Sequence, residues 1–172
     1  VRMRNSYSLN PVETSPDAFW LIGRNRTFKE YYLVENRRHV QADVLLRGEG
    51  LFVYHIDDSV VAARRWWGQV NAGGLNLKYG VALEQADGAD HLYNGDNQGD
   101  GGDPFPGSTG NVRFDSTTSP DSRTNYAGPL MTGSWARSIA SAGQVSTCSL
   151  SSGVTAAFTG GPDIYGNAWV DS

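Results

Sequence analysis

Residues 75 to 83 read Leu75-Asn76-Leu77-Lys78-Tyr79-Gly80-Val81-Ala82-Leu83, apolar or aromatic at every odd position and small or polar at every even one. An extended chain turns successive side chains to opposite faces, so the alternation predicts one half-buried strand across this stretch. Upstream, Leu51-Phe52-Val53-Tyr54-His55-Ile56 is almost continuously apolar or aromatic, with Gly48 and Gly50 before it and Asp57-Asp58 after it. That pattern predicts a strand buried on both faces. Tyr31 to Val34 reads similarly, and Phe19 to Ile22, Val112 to Phe114, Val145 to Leu150 and Val154 to Phe158 are weaker strand candidates flanked by Gly, Ser, Asn or Asp. Only Val60 to Gln69 offers a short helix, and Arg64-Arg65-Trp66-Trp67 within it leaves no clear apolar stripe. Short strands, Gly-rich turns and little helical periodicity predict an all-β fold: an antiparallel β-sandwich, jelly-roll-like, with long Gly/Asp-rich loops.

The 172 residues suit a single β-sandwich domain over 1–172, with 151–172 as a terminal strand and tail. Hydrophobic residues make up 39% and aromatic residues 11%, too much for a disordered segment. No run of about 18 apolar residues exists, so no membrane span is expected. The chain opens at Val1 with neither an initiator Met nor a leader, and is expected to be a processed or excised piece of a longer protein. Fourteen Lys+Arg against 18 Asp+Glu give a net charge of −4, and only Lys29 and Lys78 are lysines. This balance argues against a nucleic-acid partner. Cys148 is the single cysteine, so no disulfide forms within the chain, and the residue reads as an inert buried thiol.

Charge is divided unevenly. Residues 1–70 carry ten basic and eight acidic residues, a net of +2, whereas 71–172 carry four and ten, a net of −6. The excess is sharpest between Glu84 and Asp103, where Glu84, Asp87, Asp90, Asp96, Asp100 and Asp103 occur without one Lys or Arg. These six are the candidate metal ligands. Packing such carboxylates into tight backbone is costly unless a cation or solvent screens them. Hard divalent ions take six to eight oxygen ligands on adaptable loops, and Gly99, Gly101 and Gly102 permit the backbone angles, which points to calcium. The loop is not an EF-hand: the twelfth position counted from Asn94 is Phe105, and from Asp96 is Gly107, where that motif needs Glu. The other reading is a solvated acidic turn built from ordinary turn residues.

Elsewhere the candidates are architectural. His39, His55 and His91 include no pair at i, i+4 and no His-Glu-x-x-His, and no Gly-x-Ser-x-Gly occurs, so no catalytic residue is assigned. His55 and Asp57 fall on the same side of one strand; that arrangement suits a metal or a proton relay, but a histidine bonded to a carboxylate within the core is the commoner use. Glu35-Asn36-Arg37 ends an apolar strand with an acid, an amide and a guanidinium, a set that can lock a sheet edge. Trp66, Trp67, Tyr93, Tyr126 and Trp135 could supply a sugar- or peptide-contact surface, although aromatic residues in a β domain more often fill the core.

Four motifs combine into a resemblance. Tyr31-Tyr-Leu-Val-Glu35-Asn36-Arg37, then Asp43 through Gly48-Glu-Gly50-Leu51-Phe-Val-Tyr-His55-Ile-Asp57, then Gly80-Val-Ala-Leu-Glu84-Gln-Ala-Asp87-Gly88, then Gly99-Asp100-Gly-Gly-Asp103-Pro-Phe-Pro-Gly107, resemble in order and spacing the immune inhibitor A family of secreted bacterial metallopeptidases. The opening Tyr7-Ser-Leu-Asn-Pro-Val12-Glu13 resembles it too, so the likeness covers about residues 5 to 150. It implies a calcium-stabilised loop around Asp87, Asp96, Asp100 and Asp103, a bacterial and extracellular location, and a role near protein or peptide substrates. The family's zinc-binding His-Glu-x-x-His helix is absent from these residues, so zinc and proteolysis are expected only in a catalytic domain outside them. The resemblance therefore implies a non-catalytic accessory region whose partner is the protease domain of its parent chain. A free-standing calcium-dependent module that binds glycan or protein is the alternative, and a divergent hydrolase using the loop carboxylates with His55 and Asp57 ranks last.

Overall fold

The computed structural model describes residues 5–15, 18–22, 29–72, 78–125, 136–150 and 154–158. Their strands form two antiparallel sheets, and helix is confined to short segments, so the fold is all-β. One sheet comprises β1 (Asn5–Leu9), β6 (Arg113–Phe114), β7 (Ala136–Ala142) and β8 (Val145–Leu150), in the order β1-β8-β7-β6. The other comprises β2 (Ala18–Ile22), β3 (Glu30–Arg37), β4 (Gly50–Asp57), β5 (Val81–Leu83) and β9 (Val154–Phe158), in the order β5-β4-β3-β2-β9. Each sheet is built around a meander of sequential neighbours, with β1 and β9 completing opposite sheets at their edges. No helix among the described residues is long and apolar enough to cross a membrane.

A single core cluster draws from both sheets: Tyr32, Val34, Leu51 and Val53 on one side, Leu9, Phe114, Ile139, Cys148 and Leu150 on the other. Phe114 meets Tyr32 edge-on at 4.9 Å between ring centroids and Phe105 at 6.0 Å, which joins the two layers through aromatic contacts. In β3 the period-two pattern puts Tyr32, Val34 and Asn36 at 0% exposure. β4 is buried at Leu51, Phe52, Val53, His55, Ile56 and Asp57, in keeping with its unbroken apolar run.

The strand expected over Leu75 to Leu83 is shorter: only Val81–Leu83 pair with β4, Lys78 to Gly80 are not strand, and Leu75 to Leu77 lie outside the described residues. Gly80 explains the change. Its N–H donates to Val70 O, and a Cβ there would stand 2.6 Å from Val70 and 2.9 Å from Val61, so the chain at this point is held by the preceding turn and keeps only the bond from Asp57 N to Gly80 O toward β4. The helical expectation after β4 is met by α1 (Asp58–Arg64), followed by one 3-10 turn at Arg65–Trp67 that Gly68 ends at φ 63°.

Between β5 and β6 the acidic loop is tied to the outer edge of β4. Glu84 N donates to Val53 O, and Leu51 and Phe105 exchange two backbone bonds of 2.7 Å. Gly50 allows that approach: its φ is 149°, and a Cβ would come 2.5 Å from Phe105 O. Ala86 N then donates to Asp103 O, which folds the two halves of the loop together.

Candidate functional site

The loop orders its carboxylates through its own backbone. Asp87 accepts from Ala89 N at 2.9 Å, Asp100 from Gly102 N at 2.7 Å and from Asn97 Nδ2 at 2.8 Å, and Asp103 from Asp100 N at 2.6 Å. A short helix, α2 (His91–Asn94), brings His91 beside them. Asp87, His91 and Asp100 each offer one ligand atom, all within 4.8 Å of one another. Asp103 is 3% exposed, and its Oδ1 is buried without a hydrogen-bond partner. Burial first, then the carboxylates of Asp100 and Asp87, push Asp103 above the usual carboxylate range, against the opposing bond from the Asp100 amide. Gly102 leaves the space between the acids open: a Cβ there would lie 2.7 Å from Asp87 Oδ2 and 3.0 Å from Asp100 Oδ1.

The other candidate ligands go elsewhere. Asp90, at φ 55° ahead of α2, and Asp96 are exposed, and neither belongs to the three-residue group. Glu84 faces His55. His91, which the sequence reading left unassigned, is the residue added, and its position inside the acidic run was the available signal.

The second concentration of charge surrounds His55, which is 5% exposed. Its Nε2 stands 2.7 Å from Glu30 Oε2, and its Nδ1 stands 3.3 Å from Glu84 Oε1. Burial works to lower its pKa, but the bonds and charges of Glu30 and Glu84 prevail and push it up to about 9, so the ring is an imidazolium at neutral pH. Glu30 Oε2 also accepts from Asn125 N at 2.7 Å, while Glu30 Oε1 is buried without a partner. Asp57 has a different task. Its Oδ1 accepts from Ser59 N and Val60 N and caps α1.

His55, Glu84 and Asn125 reach the wall of a cleft of about 900 Å³, which β5, Tyr79, Tyr93 and Leu92 also line. Tyr79 and Tyr93 meet edge-on at 4.7 Å. Trp66 and Trp67 are 78% and 77% exposed, so neither fills the core, and the Arg65 guanidinium lies 4.7 Å over the Trp66 ring. Tyr126 and Trp135 lie outside the described residues.

Glu35, Asn36 and Arg37 join elements rather than form a pocket. Asn36 Nδ2 donates to Leu9 O and Gln144 O, and its Oδ1 accepts from Ser146 Oγ, linking β3 to the opposite sheet. Arg37 bonds Glu35 and Asp43. Cys148 is 1% exposed, and burial pushes its thiol up to about 12, which leaves no thiolate at neutral pH. No family model, no curated protein and no solved structure matches the chain.

Proposed function

We propose that this chain is a non-catalytic, calcium-stabilised accessory region of a secreted, immune inhibitor A-like bacterial zinc metallopeptidase, one that buttresses the protease core and shapes access of protein substrates. Four ordered motifs support the family part of the reading. The observation that carries the calcium part is the grouping of Asp87, His91 and Asp100, with Asp87 and Asp100 flanking the space that Gly102 leaves open, together with the buried, unpartnered Asp103 Oδ1 of the same loop.

This donor set fits a hard cation. Asp87, Asp100 and Asp103 would hold it with carboxylate oxygens, and the charge it brings offsets the burial and the repulsion from Asp100 and Asp87 that raise Asp103. His91 adds a nitrogen that calcium does not favour but zinc-class ions do, so the test compares the two metals. Titrated into metal-stripped, ¹⁵N-labelled protein, calcium is expected to shift the amides of Gly99 to Asp103 with Kd about 10⁻⁴ to 10⁻³ M, the range of extracellular modules. Amides that ignore calcium but respond to stoichiometric zinc overturn the assignment of the ion; amides that respond to neither overturn the site.

A second reading, a free-standing calcium-dependent glycan- or protein-binding module, is favoured by the exposure of Trp66 and Trp67. The residues encoded ahead of Val1 separate the two: a His-Glu-x-x-His helix there supports the accessory reading, and its absence supports the module.

A further inference from the structure

We propose that the cleft beside β5 accepts an extended, basic peptide segment as an added strand. The proposal deepens the substrate-access part of the reading above, rests on that part, and does not depend on calcium.

Among the described residues, β5 is the edge of its sheet. In an antiparallel ladder, successive residues turn their N–H and C=O groups to alternate sides. Asp57 N donates to Gly80 O at 2.9 Å and Glu84 N donates to Val53 O at 2.8 Å, so residues 80, 82 and 84 address β4, and residues 81 and 83 point their backbone groups outward. At Val81 the outward pair is taken by a side chain: Asn71 Nδ2 donates to Val81 O at 2.6 Å, and Val81 N donates to Asn71 Oδ1 at 2.9 Å. The Asn71 amide thus makes the two bonds that the peptide groups of a neighbouring strand would make. At Leu83 the outward N–H and C=O have no partner among the described residues, and Leu83 lines the cleft. Side-chain mimicry protects one position of this edge and leaves the next open to pairing.

The surroundings specify the occupant. Tyr79, Tyr93 and Leu92 give the cleft an apolar wall on which an extended chain can lay alternate side chains, the usual arrangement when a peptide extends a sheet. Glu84 and Asp90, which also line it, belong to the run of six carboxylates without one Lys or Arg. Lys78 and the His55 imidazolium offset part of that charge at the cleft, and the buried Glu30 behind His55 restores some of it. The field from the acidic loop favours lysine or arginine over acidic residues in the incoming strand.

The test measures fluorescence anisotropy with the full chain and four labelled octapeptides. One alternates Lys with Thr, one replaces Lys by Glu, and two are the Lys-Thr peptide N-methylated on its odd or on its even amides. Saturable binding of the Lys-Thr peptide is expected, weakened about tenfold or more by the Glu replacement and by one of the two methylation patterns. Leu83→Pro should weaken it similarly, because it removes an outward N–H at an edge position that tolerates proline. The proposal is overturned if the Lys-Thr peptide does not bind, if both methylated peptides bind as well as the parent, or if the Glu peptide equals it. Should Leu83→Pro fail to fold, the methylated pair against the unaltered protein decides. Peptide binding by a chain whose melting ignores calcium would overturn the calcium reading alone; calcium-dependent melting without peptide binding would overturn this proposal alone.

Discussion

At His55 an imidazole lies between the carboxylates of Glu30 and Glu84, and its pH dependence has a definite sign. Folding raises its pKa from about 6.5 in the unfolded chain to about 9, so the protonated ring stabilises the native state. That stability is fully present below about pH 6.5, declines as pH rises, and is lost above about pH 9, a change on the order of 3 kcal/mol. Denaturant titrations across this window should show the decline. His55→Gln should flatten it and cost about 3–5 kcal/mol at pH 6, because the buried Glu30 and the half-buried Glu84 lose their counter-charge. An equal alkaline slope in the variant contradicts the assignment. Only part of this was legible in the residues. A histidine in an apolar strand pointed to a carboxylate partner, and Asp57 was the nearest in sequence. The actual partners come from the neighbouring strand and from the residue that follows β5, which strand register decides and local sequence does not.

Among the elements, β4 was readable because its composition leaves no polar face to misplace. β5 was not readable to its full extent. Alternation alone ran the strand back to Leu75, whereas the close packing of Gly80 against Val61 and Val70 is a tertiary contact that the period cannot report. The acidic loop shows the same division. Its charge and its glycines marked it as a cation candidate, but turn geometry selects which acids meet, bringing Asp87 and Asp100 together with His91, burying Asp103, and leaving Asp90 and Asp96 in solvent. Gly102 is the element-scale test. Gly102→Ala should place a methyl group between Asp87 and Asp100, weakening calcium binding by about tenfold or more while the far strands keep their amide spectrum. Unchanged calcium affinity in that variant would remove Asp87 and Asp100 from the site.

For the whole molecule, the pairings that define the architecture are the least local. Individual strands were legible, but the alignments of β1 with β8 and of β2 with β9 join the two ends of the chain, and nothing in either segment names its partner. Patterning led to a jelly-roll-like expectation without fixing strand order, and the observed order is two meanders with exchanged terminal strands. Asn36 fixes the sheets to each other through bonds to Leu9, Gln144 and Ser146, and Phe105 carries the acidic loop into the common core. Through Phe105, order in the loop is coupled to the stability of the sandwich. A ligand that binds only the folded chain stabilises it by RT ln(1 + [L]/Kd), about 1.4 kcal/mol at ten times Kd. For a chain of this size, that corresponds to a rise of about 3–5 °C in Tm. The deciding measurement is therefore the thermal unfolding of metal-stripped protein with and without calcium at about ten times the Kd found by titration. The account predicts that rise, and its reversal by excess chelator; superimposable melting curves would contradict it.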